Sequence, residues 1–152
     1  MSVLSSRPGL RVVDLNKDRK TQGNPGYEIA TLLSVVIGDD DSADPTRFVH
    51  VRMKPDSVPR LRHSHPGWTT TIVLEGSLEV EGQTFTAGQL VVVAPNVSYG
   101  PLKPGPDGAT FLEIFPNTAA TGTDYEADPR VAEYRSRGWI TADARERKDI
   151  KS

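Results

Sequence analysis

Two of the three histidines in this sequence stand together, and they carry its clearest chemical signal. The chain contains His50, His63 and His65, and the last two form the run His63-Ser64-His65. On a β-strand, residues i and i+2 point to the same face, so both imidazoles can meet one ion or one substrate. A lone His-x-His run is weak evidence, and its setting decides what it means.

Two further side chains are candidate partners of this pair. The phenolate of a tyrosine such as Tyr99 can bind ferric iron, and a neutral phenol can donate a hydrogen bond to a substrate. Glu113 is the only carboxylate in a late, largely apolar run, and both faces of that run are apolar, so alternation leaves its direction undecided. His50 alternates with Val49 and Val51, which favours an outward side chain.

The elements that must position these groups read as short strands. Short strands at regular spacing with turn signals between them indicate an all-β sandwich or barrel. A hairpin turn is expected at Gly82-Gln83. The alternating or β-branched runs, each ended by a proline, a glycine or a turn pair, span 29–37, 47–54, 69–75, 78–81, 84–86, 90–93 and 109–115.

The two ends of the chain differ from this middle. Residues 1–26 are predicted to form an N-terminal arm with a short strand at 10–15, and residues 117–152 a C-terminal helical tail. In the tail, Asp128 and Pro129 suit a helix N-cap and first turn, so a helix is expected over 130–137 with Gly138 as its stop. A length of 152 residues fits a single domain, 1–152.

The middle of the chain resembles the cupin superfamily. The first motif of that family is G-x5-H-x-H-x3-4-E-x6-G, and His63 and His65 occupy its two histidine positions. Gly76 occupies the last glycine position. Ser57 replaces the first glycine, and Thr69 replaces the glutamate.

The second family motif, G-x5-P-x-G-x2-H-x3-N, is also matched in part. Gly88 occupies its first position, and Asn96 stands in the second glycine position, where positive φ is tolerated by asparagine. Tyr99 replaces the histidine, while Ala94 and Lys103 replace the proline and the asparagine. Two of the four metal ligands of the family therefore remain.

The resemblance covers about 27–116, the expected barrel core. It implies an all-β fold, a double-stranded β-helix (cupin or jelly-roll) barrel with a short C-terminal helix. Family members with the full ligand set hold Fe, Mn, Ni, Cu or Zn, so a divalent metal is expected on His63 and His65, with Tyr99 and Glu113 as candidate further ligands. Alternation places Arg60 and Arg62 at the surface. The expected pocket lining includes Leu61, Thr69, Thr71 and Trp68.

Two function classes remain open. The first is an enzyme acting on a small organic molecule in the barrel pocket, assisted by a metal on the two histidines. The resemblance implies dioxygenase, isomerase, lyase or polyketide-cyclase-like chemistry. Without a metal, His63 or His65 can act as general base and Tyr99 as acid in a cyclase or isomerase. The alternative is a metal-free cupin that binds a small molecule without catalysis. Small cupins commonly form homodimers, so a homodimer is expected, with 10–15 as a candidate exchanged strand.

Composition excludes several other classes. A chain without cysteine has no thiolate nucleophile, disulfide scaffold, cysteine-ligated zinc or iron–sulfur cluster. With 18 basic and 20 acidic residues, the net charge of −2 argues against a nucleic-acid partner. No apolar run approaches the roughly 20 residues of a membrane span, and the first residues lack the apolar stretch of a signal peptide. A cytoplasmic protein without a membrane partner is expected.

Overall fold

Strands dominate the part of the chain that the structure describes, and one short helix follows them. The computed structural model describes residues 3–7, 10–15, 20–21, 27–32, 46–116, 122–140 and 145–146. The elements in chain order are β1 (Val3–Arg7), β2 (Leu10–Val13), β3 (Lys20–Thr21), β4 (Tyr27–Leu32), β5 (Arg47–Met53), β6 (His63–Ser64), β7 (Thr69–Val80), β8 (Gln83–Thr86), β9 (Leu90–Val93), β10 (Lys103–Phe115), β11 (Asp124–Tyr125), α1 (Pro129–Ser136) and β12 (Arg145–Glu146).

Most of these strands belong to one antiparallel sheet. Its order is β3-β4-β5-β10-β7-β8, and β9 also pairs with β7. A three-stranded sheet contains β12, β11 and β6, and β1 pairs with β2 alone. The predicted all-β fold with one short C-terminal helix is confirmed. The strand expected over 29–37 is β4 as far as residue 32, and its remaining residues lie outside the described part of the chain.

β7 continues through the glycine at which the sequence suggested an end. Gly76 has a φ of +69°, and a Cβ there would lie 2.2 Å from the carbonyl oxygen of Gly108. Only glycine combines this left-handed backbone with so close an approach of a neighbouring strand. The register between β10 and β7 shifts at this point, between Pro104 and Ala109. One long strand therefore links the interior near residue 69 to the hairpin at its far end.

That hairpin turns one residue earlier than predicted. Val80 pairs with Gln83, so the turn residues are Glu81 and Gly82. Their φ angles of 54° and 73° are both positive, as a two-residue type I′ turn requires. Such turns favour Asn, Asp or Gly at the first position, which is why the sequence did not indicate Glu81. The expectation that Asn96 adopts a positive φ is confirmed, at 61°.

The main core lies on one face of the large sheet. Phe111 of β10 stands opposite Val51 of β5 and Val73 of β7, and all three side chains are fully buried. Side chains alternate between faces along a strand, so Glu113 and Phe115 share the face of Phe111. The inner face of β10 thus carries a carboxylate between aromatic rings.

A second core packs the helix against the segment before the histidines. The α1 cap is as predicted: the Asp128 side chain accepts a hydrogen bond from the backbone N–H of Arg130 at 2.8 Å. The helix ends at Ser136, two residues before Gly138, whose φ is +71°. The buried members of this second core are Leu61, Tyr125, Val131, Tyr134 and Ile140.

Among the described residues, no helix has the length and apolar character needed to cross a membrane.

Candidate functional site

β6 and the residue after it bring two histidines into the interior. His63 pairs with Tyr125 of β11 on one side and forms a bridge with Tyr99 on the other. His63 is fully buried, and His65 is only 2% exposed. Their ring centroids lie 5.0 Å apart with nearly perpendicular planes. The two imidazoles are therefore neighbours, the arrangement that their spacing indicates.

Each imidazole is anchored through Nδ1 and leaves Nε2 available. Nδ1 of His63 lies 2.7 Å from the carbonyl oxygen of Leu61, and Nδ1 of His65 lies 2.7 Å from that of Gly122. A carbonyl oxygen only accepts, so both Nδ1 atoms carry the proton and donate it. The Nε2 atoms are buried and have no hydrogen-bond partner within the described part of the protein. Buried polar atoms normally have a partner, so this pair fits a bound ion or ligand.

Burial keeps both imidazoles uncharged. Loss of hydration is the main reason that the pKa of His63 lies well below its ordinary value of 6.5. The same cause lowers the pKa of His65. The positive charge of Arg60 lowers both pKa values further. At neutral pH each Nε2 therefore presents a lone pair, the state that a metal ligand or a general base needs.

Tyr99 is the third member of this polar cluster. Its backbone N–H donates to the carbonyl of His63 at 2.9 Å, and its carbonyl accepts from the N–H of His63 at 3.1 Å. The Tyr99 ring centroid lies 4.7 Å from that of His63 and 6.1 Å from that of His65. The residue in the position of the family's second-motif histidine is therefore in contact with the first-motif pair.

A cavity of about 460 Å³ opens beside Tyr99. This volume falls within the roughly 300–1,000 Å³ that small-molecule sites occupy. Neither His63 nor His65 is among the residues that line it, and the polar lining residues are Arg62, Glu81, Gln83, Ser98 and Tyr99. The rest of the lining is largely apolar and includes Val80, Phe85, Val91, Val93 and Val97.

A buried ion pair adjoins the histidines, and the predicted surface role of Arg60 is wrong. Arg60 Nη1 donates to Oε1 of Glu113 at 2.8 Å, with side chains 18% and 2% exposed. Glu113 faces the interior, next to Phe115, whose ring centroid lies 5.1 Å from that of His65. Alternation failed for Arg60 because residues 60–62 form only an isolated bridge and the long side chain turns inward to a carboxylate. A buried carboxylate needs a cationic partner, so an inward Glu113 was the only indication in the sequence that an arginine such as Arg60 turns inward.

The other predicted lining residues divide into inward and outward positions. Thr69 and Thr71 are buried, at 1% and 3% exposed, on the inner face of β7, but neither lines the cavity. Leu61 does not line the cavity but packs in the core around α1, because the chain between it and His63 is not a regular strand. Trp68 is 54% exposed and does not line the cavity either, since it precedes the first inward residue of β7.

His50 and Arg62 lie on the sides of the chain that alternation indicates. His50 lies on the face of β5 opposite to Val51, as alternation indicates, although it is buried there at 5% exposure. Arg62 is 38% exposed in its side chain and pairs with Glu81 and Glu126. It is thus near the surface, but it also reaches the cavity. The sequence did not indicate Glu81, because the turn was predicted at Gly82-Gln83 and its partners lie on another segment.

The donor atoms fit a divalent metal in part. Two neutral imidazole nitrogens side by side are suitable ligands for several transition metals, and water can supply further ones. In the part of the chain that the structure describes, no third histidine, cysteine or carboxylate joins them in a metal-binding group. Glu113 is paired with Arg60, which leaves Tyr99 as the remaining oxygen donor among the predicted ligands.

Comparison with solved structures identifies the architecture. The polyketide cyclase RemF from Streptomyces resistomycificus is 16% identical, with a TM-score of 0.61 over 84% of this chain and 93% of its own. A proposed acetylacetone dioxygenase from Methylibium petroleiphilum PM1 is 15% identical, with a TM-score of 0.60 over 83% and 86%. A cupin-like protein from Thermotoga maritima is 20% identical, with a TM-score of 0.55 over 82% and 95%.

These similarities concern the fold. No family model matches the sequence, and no curated protein is similar to it in sequence. A chain of the Rhodobacter sphaeroides SigE–ChrR anti-sigma complex is 20% identical, with a TM-score of 0.50, and the match spans only 47% of that chain. The antiparallel strand order, the short terminal helix and these neighbours together show that the chain has the cupin fold, the double-stranded β-helix.

Proposed function

We propose that this protein is an enzyme that acts on a small, largely apolar organic molecule, with a divalent metal held by His63 and His65. The observation that carries the proposal is the pair of buried Nε2 atoms, each on an imidazole whose Nδ1 is fixed by a backbone carbonyl. Such anchoring through the other ring nitrogen is the usual support of a metal-binding histidine. Tyr99 is proposed as a further oxygen donor.

The residues around the pair define what a substrate meets. The apolar lining of the cavity favours a carbon skeleton without fixed charge, and Tyr99, which lines that cavity, also contacts the ring of His63. When bound, a divalent metal supplies Lewis acidity at a substrate oxygen. The phenol of Tyr99 can donate a hydrogen bond to the same oxygen. A carbonyl-containing molecule suits these groups best.

A metal-free alternative is supported by a different observation. Arg60 places a positive charge near both imidazoles, which disfavours a cation and helps to keep the two Nε2 atoms unprotonated. His63 or His65 can then take a proton from a substrate carbon or hydroxyl, with Tyr99 as the acid. This is chemistry of the cyclase or isomerase type. Binding of a small molecule without catalysis is the remaining alternative.

The similar structures are compatible with these proposals and do not choose between them. They include proteins described as a polyketide cyclase and as acetylacetone dioxygenases. Both names refer to chemistry on small organic molecules, which supports an enzyme or a binder of this class. Their low sequence identity leaves the reaction of this chain to experiment.

Metal binding is the first test. The metal content of untagged protein and titration with Co²⁺, followed by its visible absorption, should give about one equivalent per chain. His63→Gln and His65→Gln should each weaken Co²⁺ binding at least tenfold, which corresponds to about 1.4 kcal/mol. His50→Gln is the matched control, because this third histidine lies on β5 of the large sheet, on the face opposite to Val51, whereas His63 belongs to the three-stranded sheet. Co²⁺ binding as tight in His63→Gln and His65→Gln as in His50→Gln, or no binding by the wild type, would overturn the metal site. The metal-free acid–base proposal would then remain.

A further inference from the structure

One ion pair holds the backbone on both sides of Tyr99. Arg62 donates through Nη2 to the carbonyl of Ser98 and through Nη1 to the carbonyl of Gly100, each at 3.0 Å. Glu81 accepts from the backbone N–H of Gly100 at 3.0 Å and also from Nη1 of Arg62. Arg62 therefore binds the residues on both sides of Tyr99, and Glu81 binds the one that follows it.

The backbone polar groups of this segment are all hydrogen-bonded. Tyr99 itself exchanges two backbone hydrogen bonds with His63. All five consecutive backbone polar groups from the Ser98 carbonyl to the Gly100 carbonyl are thus bonded. Three of the five are satisfied by side chains rather than by a strand. Fixing the backbone at both neighbours determines the direction in which the tyrosine ring leaves it.

The identity of Glu81 points the same way. It is a non-glycine residue with positive φ at the first position of a type I′ turn, where asparagine or aspartate is favoured. Turn formation therefore gives no reason for glutamate. Its longer side chain reaches the neighbouring segment and bonds Gly100, and it orients Arg62 at the same time.

We propose that Arg62 and Glu81 are positioning residues, which act through the Ser98–Gly100 backbone to aim the Tyr99 phenol at His63 and at the cavity. Both side chains line that cavity. Arg62 also donates through Nε to Glu126 at 3.2 Å, which ties the segment after β11 to the same guanidinium. The inference rests on the proposed function only in treating Tyr99 as a group of the site.

The test reads the environment of Tyr99 directly. The metal-free protein is labelled with 3-fluorotyrosine, and Tyr99→Phe identifies the ¹⁹F resonance of Tyr99 among the four tyrosines. We expect Glu81→Asn, Glu81→Gln and Arg62→Met each to move or split that resonance by more than its linewidth. Glu79→Gln is the matched control, since it removes a β7 carboxylate whose exposed pair with Lys103 does not touch the Tyr99 segment.

Glu81→Asn separates positioning from a purely structural role. Asparagine is favoured at this turn position, so its turn preference should offset part of the cost of the lost Gly100 hydrogen bond, and the variant should unfold cooperatively near the wild-type temperature. Its shorter side chain should nevertheless release Gly100 and disturb the Tyr99 resonance. A Tyr99 resonance that coincides in the wild type, Glu81→Asn and Glu79→Gln would overturn the proposal. Because the measurement uses no metal, a failure of the Co²⁺ test would leave this result intact.

Discussion

Replacing Arg60 should destabilise the protein far more than breaking a surface ion pair. Arg60 and Glu113 lie 2.8 Å apart, and the carboxylate side chain is only 2% exposed. Removing one partner of a buried pair typically costs about 3–5 kcal/mol, because the other charge stays buried without compensation. Arg60→Met leaves the more deeply buried group, so we expect a loss of stability in this range.

The opposite substitution should be milder. Glu113→Gln leaves Arg60, whose side chain keeps 18% of its surface in contact with solvent. Glutamine can still accept a hydrogen bond from the guanidinium, so a loss of about 1–3 kcal/mol is expected. The exposed pair of Lys103 and Glu79, at 3.4 Å, gives the matched comparison, and Lys103→Met should cost about 0–1 kcal/mol.

Urea unfolding at pH 7 measures these differences, with thermal unfolding as a second readout. For a chain of this size, 1 kcal/mol shifts the Tm by about 2–4 °C, so Arg60→Met should lower it by about 6–20 °C. The double variant Arg60→Met/Glu113→Gln should be more stable than the sum of the single losses indicates, with a coupling of about 0.5–3 kcal/mol. Losses no larger than that of Lys103→Met, or a greater loss for Glu113→Gln, would refute the reasoning.

Three further predictions concern pH, backbone and helix. The metal-free protein should lose stability as the pH falls through about 6.5, because the unfolded chain gains protons that buried His63 and His65 do not take up. Each histidine contributes at most about 1.4 kcal/mol per pH unit to the slope of the unfolding free energy against pH. The same slope in the double variant His63→Gln/His65→Gln as in the wild type would contradict this prediction. Gly82→Ala should lower the free energy of unfolding by roughly 1–2 kcal/mol because of its positive φ. Gly76→Ala should lower it clearly more, because only its added Cβ would collide with the backbone of a neighbouring strand. Equal losses in urea unfolding would disprove this. Asp128→Ala should lose about 0.5–2 kcal/mol through the helix cap, as measured by thermal unfolding, and no loss would exclude a capping role.

Much of the fold could be predicted because its signals are local. β-branched runs ended by proline or glycine identified the strands, and Asp128-Pro129 with Gly138 identified α1 to within a residue. Family spacing added the inward pair His63 and His65, whose burial follows from their place between two strands. These features depend on neighbours in the chain, which the sequence displays directly.

What could not be predicted depends on contacts between distant segments. Glu113 lies 53 residues from Arg60, and a chain that leaves regular strand geometry gives no alternation from which to infer the inward turn of an arginine. Glu81 was missed for a related reason, because its partners Arg62 and Gly100 lie on another part of the chain. In both cases an ordinary charged residue acquires its role from the place to which the fold brings it.

The ion pair at Arg60 also explains how the departure from the family motif changes the chemistry of the site. Thr69 replaces a carboxylate ligand. Glu113, the one carboxylate on the inner face of β10, is already in an ion pair with Arg60. A divalent ion on His63 and His65 would therefore keep its positive charge in a buried place near a guanidinium, where charge is strongly disfavoured. Negative charge must then come from a phenolate or from the substrate. For the proposed metal-bound enzyme we therefore expect substrates whose oxygen becomes anionic on binding, such as enolisable carbonyl compounds.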